Sequence, residues 1–238
     1  MKRHLRRLKL HAYQLATGGV VLAFLIVFLS FGRLFNDSHL VTTNNPPAKK
    51  PSSTVTQVQP TQPLPALVEP IDQFHQRITK IFFGTYVTPQ NSPIQPERFT
   101  GYHTGVDVEY GDVTGTVPVY AIANGIVTYS NWASGYGGVT VIQVTIDGAL
   151  HLVLYGHLDP SSTLPVGTQV SQGQQIGILG IAYSQQTDGE RRHLHFDILA
   201  SDTLDLRGYV PVASELSGWI DPLSLQYRNL PNDSSSSQ

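Results

Sequence analysis

The chain has 238 residues, enough for one domain of ordinary size with appended segments, and it contains no cysteine. Without cysteine, disulfide bonds, thiolate metal ligands and a cysteine nucleophile are all excluded. The charge is uneven: residues up to Pro70 carry eight Lys/Arg and two acids, a net of +6, whereas the remainder carries a net of −8. The acidic remainder argues against nucleic acid as a partner, because binding to phosphates needs a basic surface.

The first predicted element is a transmembrane helix within residues 1–35. Residues 10–32 contain no Lys, Arg, Asp or Glu, and these 23 residues would form about 34 Å of helix, enough to cross a hydrocarbon core of ~30 Å. Five Lys/Arg precede the segment, so we expect a cytoplasmic N-terminus and an extracytoplasmic remainder. A cleaved signal peptide is the alternative, but residues 30–34 are bulky or charged where a cleavage site needs small ones. We therefore predict a single-pass anchor in the cell membrane.

Residues 36–70 form a predicted linker that is rich in Pro, Thr, Ser, Gln and Asn and has no apolar period. Such a composition cannot bury enough apolar surface to offset the entropy of ordering. At about 3.1 Å per residue, an extended proline-rich segment of this length would reach on the order of 100 Å. The linker is either a tether that extends the reach of the next domain or a passive spacer. Residues 231–238 are predicted to be a disordered tail.

Residues 71–230 are predicted to form an antiparallel all-β domain. Short β-branched or alternating runs are separated by Gly, Asn and Asp; they cover residues 117–121, 125–130, 139–146, 150–156, 175–180 and 193–199. Asp147-Gly148 joins two of these runs and predicts a hairpin, because a type I′ turn needs positive φ at both central residues. Helical signals are limited to residues 69–80 and 222–226.

Three histidine motifs within this domain carry the predicted chemistry. His103 and Asp107 form an HxxxD motif, His157 stands alone, and His193 and His195 form an HxH motif. Imidazole and carboxylate groups are the ligands of catalytic zinc sites, in which three protein groups bind the ion and a fourth position stays open. A single histidine or one HxH is commonly structural, but the three motifs together in a glycine-rich β segment favour a zinc hydrolase.

Strand geometry orients the HxH motif. With period-two alternation, His193, His195 and Asp197 share one face of a strand, while Leu194 and Phe196 share the other. One histidine can therefore bind a metal ion while its neighbour two residues away handles protons. Asp197 is predicted either to accept a hydrogen bond from an imidazole or to be an exposed carboxylate.

The sequence segments HTGVD, YGHL and HLHFD resemble the three motifs of the lysostaphin/LytM-type zinc endopeptidases, which cut peptide bridges in bacterial cell walls. The similarity extends over most of residues 81–223. It implies an antiparallel β-sandwich with Zn²⁺ in a groove across one sheet. It also implies a zinc endopeptidase that hydrolyses peptide bonds in peptidoglycan cross-links or stem peptides, and the predicted N-terminal helix would anchor this enzyme in the membrane.

The resemblance assigns roles to the five motif residues. It implies that His103, Asp107 and His195 bind zinc, and that His157 and His193 act in catalysis. Zinc would lower the pKa of a water at the open site to about 7. One of the two catalytic histidines would orient or deprotonate that water, and the other would stabilise the oxyanion and protonate the leaving amine.

Neighbouring residues have predicted roles as well. Gly105 is expected to let the chain turn so that the side chains of His103 and Asp107 converge. Tyr102 and Tyr155 are expected to pack in the domain, with donation to a substrate carbonyl as the alternative.

The sequence also allows two non-enzymatic alternatives. Residues 115–121 and 166–177 look like the hairpins of biotinyl or lipoyl carriers, but a carrier needs an exposed lysine and none follows Lys80. The second alternative is a catalytically silent LytM-like domain that binds the wall or activates another hydrolase. Such domains usually lack ligand residues, whereas this chain has all five motif residues.

Residues 181–192 depart from the family pattern, which has a short Gly/Ser/Thr loop ending in Gly-Pro at this point. The segment reads IAYSQQTDGERR and is expected to border the groove. Arg191 and Arg192 would either grip a carboxylate of a wall peptide as bidentate donors or face solvent.

Overall fold

The computed structural model of the protein describes residues 66–230. The predicted anchor (1–35), most of the predicted linker (36–70) and the predicted tail (231–238) lie outside these residues. Among residues 66–230, no helix is long and apolar enough to cross a membrane.

The described part of the chain is built mainly of β-strands. The strands are β1 Leu67–Val68, β2 Tyr86–Val87, β3 Gly101–His103, β4 Val106–Glu109, β5 Pro118–Tyr120, β6 Gly125–Ala133, β7 Gly137–Ile146, β8 Ala149–Leu158, β9 Gln169–Val170, β10 Gln175–Ile178, β11 His193–Leu199, β12 Tyr209–Val210, β13 Trp219–Ile220 and β14 Tyr227–Arg228. Short 3-10 helices cover Gln185–Thr187, Ala213–Gly218 and Pro222–Ser224.

A seven-stranded sheet forms the centre of the domain. Its order is β13-β11-β8-β7-β6-β9, with β4 also paired to β11. Smaller sheets have the orders β12-β3-β2 and β10-β5, and β1 pairs with β14. These pairings are antiparallel except for β1 with β14, so the predicted antiparallel β architecture is confirmed. Strand β1 lies within residues 36–70, the predicted linker. Leu67 and Val68 pair with the last strand, so the domain begins before residue 71.

The predicted hairpin joins β7 and β8. Asp147 has φ 51° and Gly148 has φ 82°, which are the two positive values that a type I′ turn requires. Strand β11 has the predicted bounds, and β8 is longer than predicted by three residues, Ala149, His157 and Leu158. Of the two predicted helical segments, residues 69–80 form turns and residues 222–226 begin with a 3-10 helix.

Both faces of the central sheet are buried. Along β7, Ile142 and Val144 belong to the larger apolar cluster, whereas Val139 and Val141 belong to a second cluster on the opposite face. Because both faces are covered, β7 and β8 are nearly continuous apolar runs. Strand β11 has a different character: Leu194, Phe196 and Ile198 enter the larger cluster, while the alternate residues are mainly polar and equally buried.

Gly105 is required by close packing against β11. A Cβ atom at this position would overlap the carbonyl oxygen of Phe196 and lie 2.8 Å from Cβ of Asp197. Gly105 has no positive φ among the described backbone angles. Gly105 lies in the bend between β3 and β4, where the chain turns as expected, and its missing side chain allows the close approach to β11.

We predict that Gly105→Ala destabilises the protein by about 1–3 kcal/mol or more, because the new methyl group meets rigid backbone. Gly111→Ala is the matched control, since a Cβ there has no neighbour within 4 Å. The measurement is denaturant unfolding of the two metal-free full-length variants. Equal free energies of unfolding for the two variants would contradict the packing role.

Candidate metal centre

Three predicted ligands converge at one end of the central sheet. His103 ends β3, Asp107 lies in β4, and His195 lies in β11 directly opposite Asp107. His103 Nε2 lies 3.2 Å from Asp107 Oδ1 and 3.0 Å from His195 Nδ1. His195 Nδ1 lies 3.3 Å from the same Oδ1. All three side chains are buried, so the convergence is fixed by the fold.

The three atoms have the spacing of metal ligands. In a tetrahedral site with bonds of about 2.0–2.1 Å, ligand atoms lie about 3.3 Å apart, close to the separations of 3.0, 3.2 and 3.3 Å found here. Asp107 Oδ1 is buried, and within residues 66–230 the groups that face it are the imidazole nitrogens of His103 and His195. A buried carboxylate oxygen is costly unless a proton donor or a cation binds it. The donor set therefore fits a small four-coordinate cation.

Asp197 holds the ring of His195. Its Oδ2 lies 3.3 Å from His195 Nε2, and the side chain is fully buried. Of the two roles predicted for Asp197, the geometry favours the acceptor over the exposed carboxylate. With Nε2 taken by Asp197, Nδ1 is the nitrogen that His195 presents to Asp107 and His103.

His157 reaches the site through a β-bulge. Gly138 pairs with Leu158 and Val139 with Gly156, so His157 is the extra residue on β8. On a regular strand its side chain would share the core face with Tyr155. A φ of 61° redirects the imidazole to the opposite face, and its ring centroid lies 4.2 Å from that of His193.

The two histidines outside the ligand set are neutral in the metal-free protein. Burial, followed by the effect of His195, lowers the pKa of His157 to about 3. Burial and the charge of Arg191 hold the pKa of His193 well below its ordinary value. His193 Nδ1 lies 3.0 Å from the carbonyl oxygen of Arg191, which suits a protonated Nδ1 and leaves Nε2 with a lone pair.

The charges of two ligands are set by their surroundings. Burial would raise the pKa of Asp107, but His193, His103 and Arg191 outweigh it and hold the pKa well below the ordinary value. Burial would lower the pKa of His195, but hydrogen bonds to Asp107 and Asp197 outweigh it and raise the pKa to about 9. In the metal-free protein, Asp107 is therefore ionised and His195 is protonated at neutral pH.

The site opens into a groove of about 310 Å³ lined by the motif residues Asp107, His157, His193 and His195 together with neighbouring loops. Tyr136 and Tyr209 also line it, and neither was singled out from the sequence. The remaining lining residues are Glu97, Phe99, Thr100, Ser134, Gly135, Glu190, Arg191, Leu206, Arg207 and Gly208.

Tyr136 places a buried phenol beside the metal ligands. Its ring centroid lies 5.1 Å from that of His195, and its hydroxyl has no hydrogen-bond partner within the described residues. Gly156 makes this position possible, because a Cβ there would lie 2.6 Å from Cδ1 of Tyr136. The only sequence signal was its place in a glycine-rich turn, residues 134–138.

The tyrosines considered from sequence have packing positions. Tyr155 is fully buried in the core, where its hydroxyl accepts a hydrogen bond from the amide of Ile122. Tyr102 is half-buried, and its ring centroid lies 4.7 Å from that of Tyr86. Packing, the first of the two predicted roles, is what the structure supports for both.

The loop of residues 181–192 borders the groove as expected, but its arginines bind within the protein. Arg191 donates hydrogen bonds to Asp107 and Glu109. Arg192 donates to the carbonyl oxygens of Val113 and Gly115. Neither of the two roles considered from sequence, a grip on substrate or free solvent exposure, describes these contacts.

Comparisons with known proteins agree with this site. Residues 101–205 match Peptidase family M23. An uncharacterized protein of Mycobacterium tuberculosis is 30% identical over 102 residues, which are 43% of this chain and 22% of that protein. The murein hydrolase activator EnvC of Escherichia coli is 38% identical over 80 residues, 34% of this chain and 17% of EnvC. The match thus spans about a fifth of the length of these curated relatives.

Solved structures give matches of the same kind. LytU is 28% identical with a TM-score of 0.40, over 61% of this chain and 81% of LytU. Csd3 of Helicobacter pylori is 24% identical with a TM-score of 0.40, over 62% of this chain and 35% of Csd3. The antiparallel β domain with its His-Asp-His cluster defines a metallopeptidase-like class of protein. Within that class, residues 101–205 match peptidase family M23, in agreement with the resemblance of the three motifs to the lysostaphin/LytM type.

We predict that metal binding at this site becomes tighter as pH rises towards 9. A ligand histidine must be neutral, and the proton that His195 holds up to a pKa of about 9 has to leave when a metal ion binds. Below that pKa the dissociation constant should fall by up to about tenfold per pH unit. Chelator competition at several pH values measures the dissociation constant. A pH indicator should record about one proton released for each metal ion bound at pH 7. An affinity that stays constant between pH 7 and 9 would contradict this charge assignment.

Proposed function

We propose that the protein is a membrane-anchored zinc endopeptidase that hydrolyses peptide bonds in peptidoglycan cross-links or stem peptides. The observation that carries the proposal is the convergence of His103 Nε2, Asp107 Oδ1 and His195 Nδ1 within 4.8 Å of one another. The match of residues 101–205 to peptidase family M23 supports the reaction class. We also propose that the domain has the β-sandwich architecture of that family, with the site in a groove across one sheet.

His103, Asp107 and His195 would hold the zinc ion. When bound there, zinc would supply Lewis acidity at the scissile carbonyl and lower the pKa of a coordinated water. The protein contributes a buried ionised carboxylate and two buried imidazoles, with a hydrogen bond from His195 to Asp197 fixing one ring. This arrangement leaves the groove side of the cluster for the substrate.

His157 and His193 would move protons in the reaction. Both rings line the groove and are neutral in the metal-free protein, so each offers a lone pair at neutral pH. One imidazole would take a proton from the attacking water and pass that proton to the leaving amine. The other would donate a hydrogen bond to the developing oxyanion.

Tyr136 is a third candidate for contact with the reacting groups. Its hydroxyl is a buried donor without a partner in the described part of the chain, and its ring lies against that of His195. Burial raises the pKa of Tyr136 well above its ordinary value, so the phenol keeps its proton and can donate a hydrogen bond. A neutral donor at this position suits a substrate carbonyl whose oxygen gains negative charge.

A second candidate function is favoured by the likeness to the murein hydrolase activator EnvC. In this alternative the domain binds wall material or activates another hydrolase without cutting peptide bonds itself. The five filled motif positions and their convergence favour the enzyme, because an activator has no need of ligand spacing.

The proposed location rests on the N-terminal sequence, outside the described residues. The charge-free residues 10–32 and the five Lys/Arg before them support an uncleaved helix with the peptidase domain outside the cytoplasmic membrane. In this proposal the domain lies on the same side of the membrane as the wall.

We predict that substitutions separate metal binding from catalysis. His195→Ala removes a ligand, so zinc content and hydrolysis should both fall and the fold should lose stability. His157→Ala and His193→Ala should keep nearly stoichiometric zinc, while hydrolysis falls by ~10² or more. Tyr136→Phe should also keep zinc and slow hydrolysis, by ~10² if it donates to the oxyanion. Tyr183→Phe, an exposed position, is the control.

Zinc content by atomic emission and digestion of purified walls by mass spectrometry test these expectations on the same full-length preparations. Loss of metal from His157→Ala with retention by Asp107→Ala would contradict the ligand assignment. If the unmutated chain binds zinc and walls but releases no new termini, and stimulates an added wall hydrolase, the activator function replaces the enzyme.

We predict that the intact chain stays in the membrane fraction after an alkaline wash when it is expressed in a bacterium. External protease should then reach the peptidase domain but not the basic N-terminal residues. N-terminal sequencing is the check: a soluble form beginning between Gly32 and Ser38 would show cleavage and contradict the anchor.

A further inference from the structure

Arg191 is joined to the proposed metal site through one of its ligands. Its Nη2 donates to Asp107 Oδ2 at 2.6 Å. Its Nε donates to both oxygens of Glu109 at 3.1 Å, and Nη2 also donates to Glu109 Oε1 at 2.7 Å. The side chains of Arg191, Asp107 and Glu109 are 11%, 2% and 12% exposed, so this ion-pair group is largely shielded from water.

We propose that Arg191 is a positioning residue that makes Asp107 a one-oxygen ligand. The guanidinium occupies Oδ2, while Oδ1 faces the imidazole nitrogens of His103 and His195 at 3.2 and 3.3 Å. A carboxylate that is held at one oxygen cannot rotate freely or offer both oxygens to an ion. The inference rests on the proposed function, because the ion concerned is the zinc of the proposed endopeptidase.

Glu109 compensates the positive charge of Arg191 beside the proposed metal site. A guanidinium next to a divalent cation would repel it, and Glu109 supplies a compensating negative charge through a bidentate pairing. Lys80 Nζ lies 3.4 Å from Glu109 Oε2 on the outer side and is more exposed. Glu109 thus orients the guanidinium, and the guanidinium orients Asp107.

The strand register places Asp107 and Glu109 on one face. Asp107 lies opposite His195, and Glu109 lies opposite His193. Arg191 comes two residues before His193, in the loop that leads into β11, and its guanidinium contacts both carboxylates. The strand pairing therefore fixes the two carboxylates that hold the guanidinium.

The test compares substitutions of neighbouring arginines in the full-length protein. Arg191→Met removes the fork and keeps much of the side-chain length, whereas Arg191→Lys keeps the charge and loses the fork. Arg192→Met is the matched control, because Arg192 binds the carbonyls of Val113 and Gly115 instead. For each variant, zinc affinity is measured by chelator competition, the Co²⁺-substituted visible spectrum is recorded, and thermal unfolding of the metal-free form checks folding.

Both Arg191 variants should bind zinc ~10–100-fold more weakly than the unmutated chain, and their Co²⁺ spectra should change. Arg192→Met should keep the original affinity and spectrum. The direction of the change in zinc affinity separates two effects. Removing the positive charge of Arg191 would by itself strengthen the binding of a dication, whereas losing its positioning role weakens it. Unchanged or tighter zinc binding by Arg191→Met, with an unchanged Co²⁺ spectrum, would overturn the proposal. If Arg191→Met does not fold, Arg191→Lys decides by the same two readouts.

Wall digestion on the same samples distinguishes the positioning role of Arg191 from the proposed endopeptidase function. If the Arg191 variants lose zinc affinity and no chain, mutated or not, cleaves walls, the positioning role stands and the endopeptidase proposal fails. If the unmutated chain cleaves walls and the Arg191 variants match it in affinity and spectrum, the endopeptidase proposal stands and the positioning role fails.

Discussion

The pairing of β4 with β11 is the constraint on which the site depends. It sets His195 opposite Asp107, and one step along the ladder it sets His193 opposite Glu109. Side chains alternate along a strand. A shift of the pairing register by one residue would therefore turn the polar side chains of β11 into the larger apolar cluster and bring Leu194 to the groove. The cost of burying charged groups in that cluster excludes the slipped register. The same apolar residues that stabilise the sheet therefore determine where the imidazoles and carboxylates point.

Buried polar groups at this end of the sheet are only partly satisfied by the protein itself. Arg191 and Asp197 bind one atom each of Asp107 and His195, which limits the cost of removing those groups from water. Several unpaired buried atoms of the described chain belong to the same region: His103 Nδ1, Asp107 Oδ1, Tyr136 Oη, His157 Nδ1 and Asp197 Oδ1. An unmet buried donor or acceptor costs about 1–3 kcal/mol, so a concentration of them around one groove and the side chains behind it is typical of a site that binds something else.

Local pattern predicted part of this structure well. The alternation of His193 to Leu199 gave a strand with the observed bounds, and Asp147-Gly148 gave the observed hairpin. The same alternation, extended two residues upstream, would have placed Arg191 on the site face. Other features depend on contacts between distant segments that no local pattern encodes. The overlap that makes Gly105 necessary involves Phe196, and the position of Tyr136 depends on the space beside Gly156.

The bulge at His157 has a cost in stability that the protein accepts in order to place an imidazole beside His193. A left-handed backbone angle at a residue other than glycine costs about 1–2 kcal/mol, and glycine or asparagine would relieve much of that cost. Either replacement would remove the imidazole from beside His193. In a descendant that no longer needed the proposed proton-transfer group, mutational drift at position 157 would therefore run towards glycine or asparagine. Under the proposed function, the residue at this bulge would separate related domains that hydrolyse peptide bonds from those retained for binding alone.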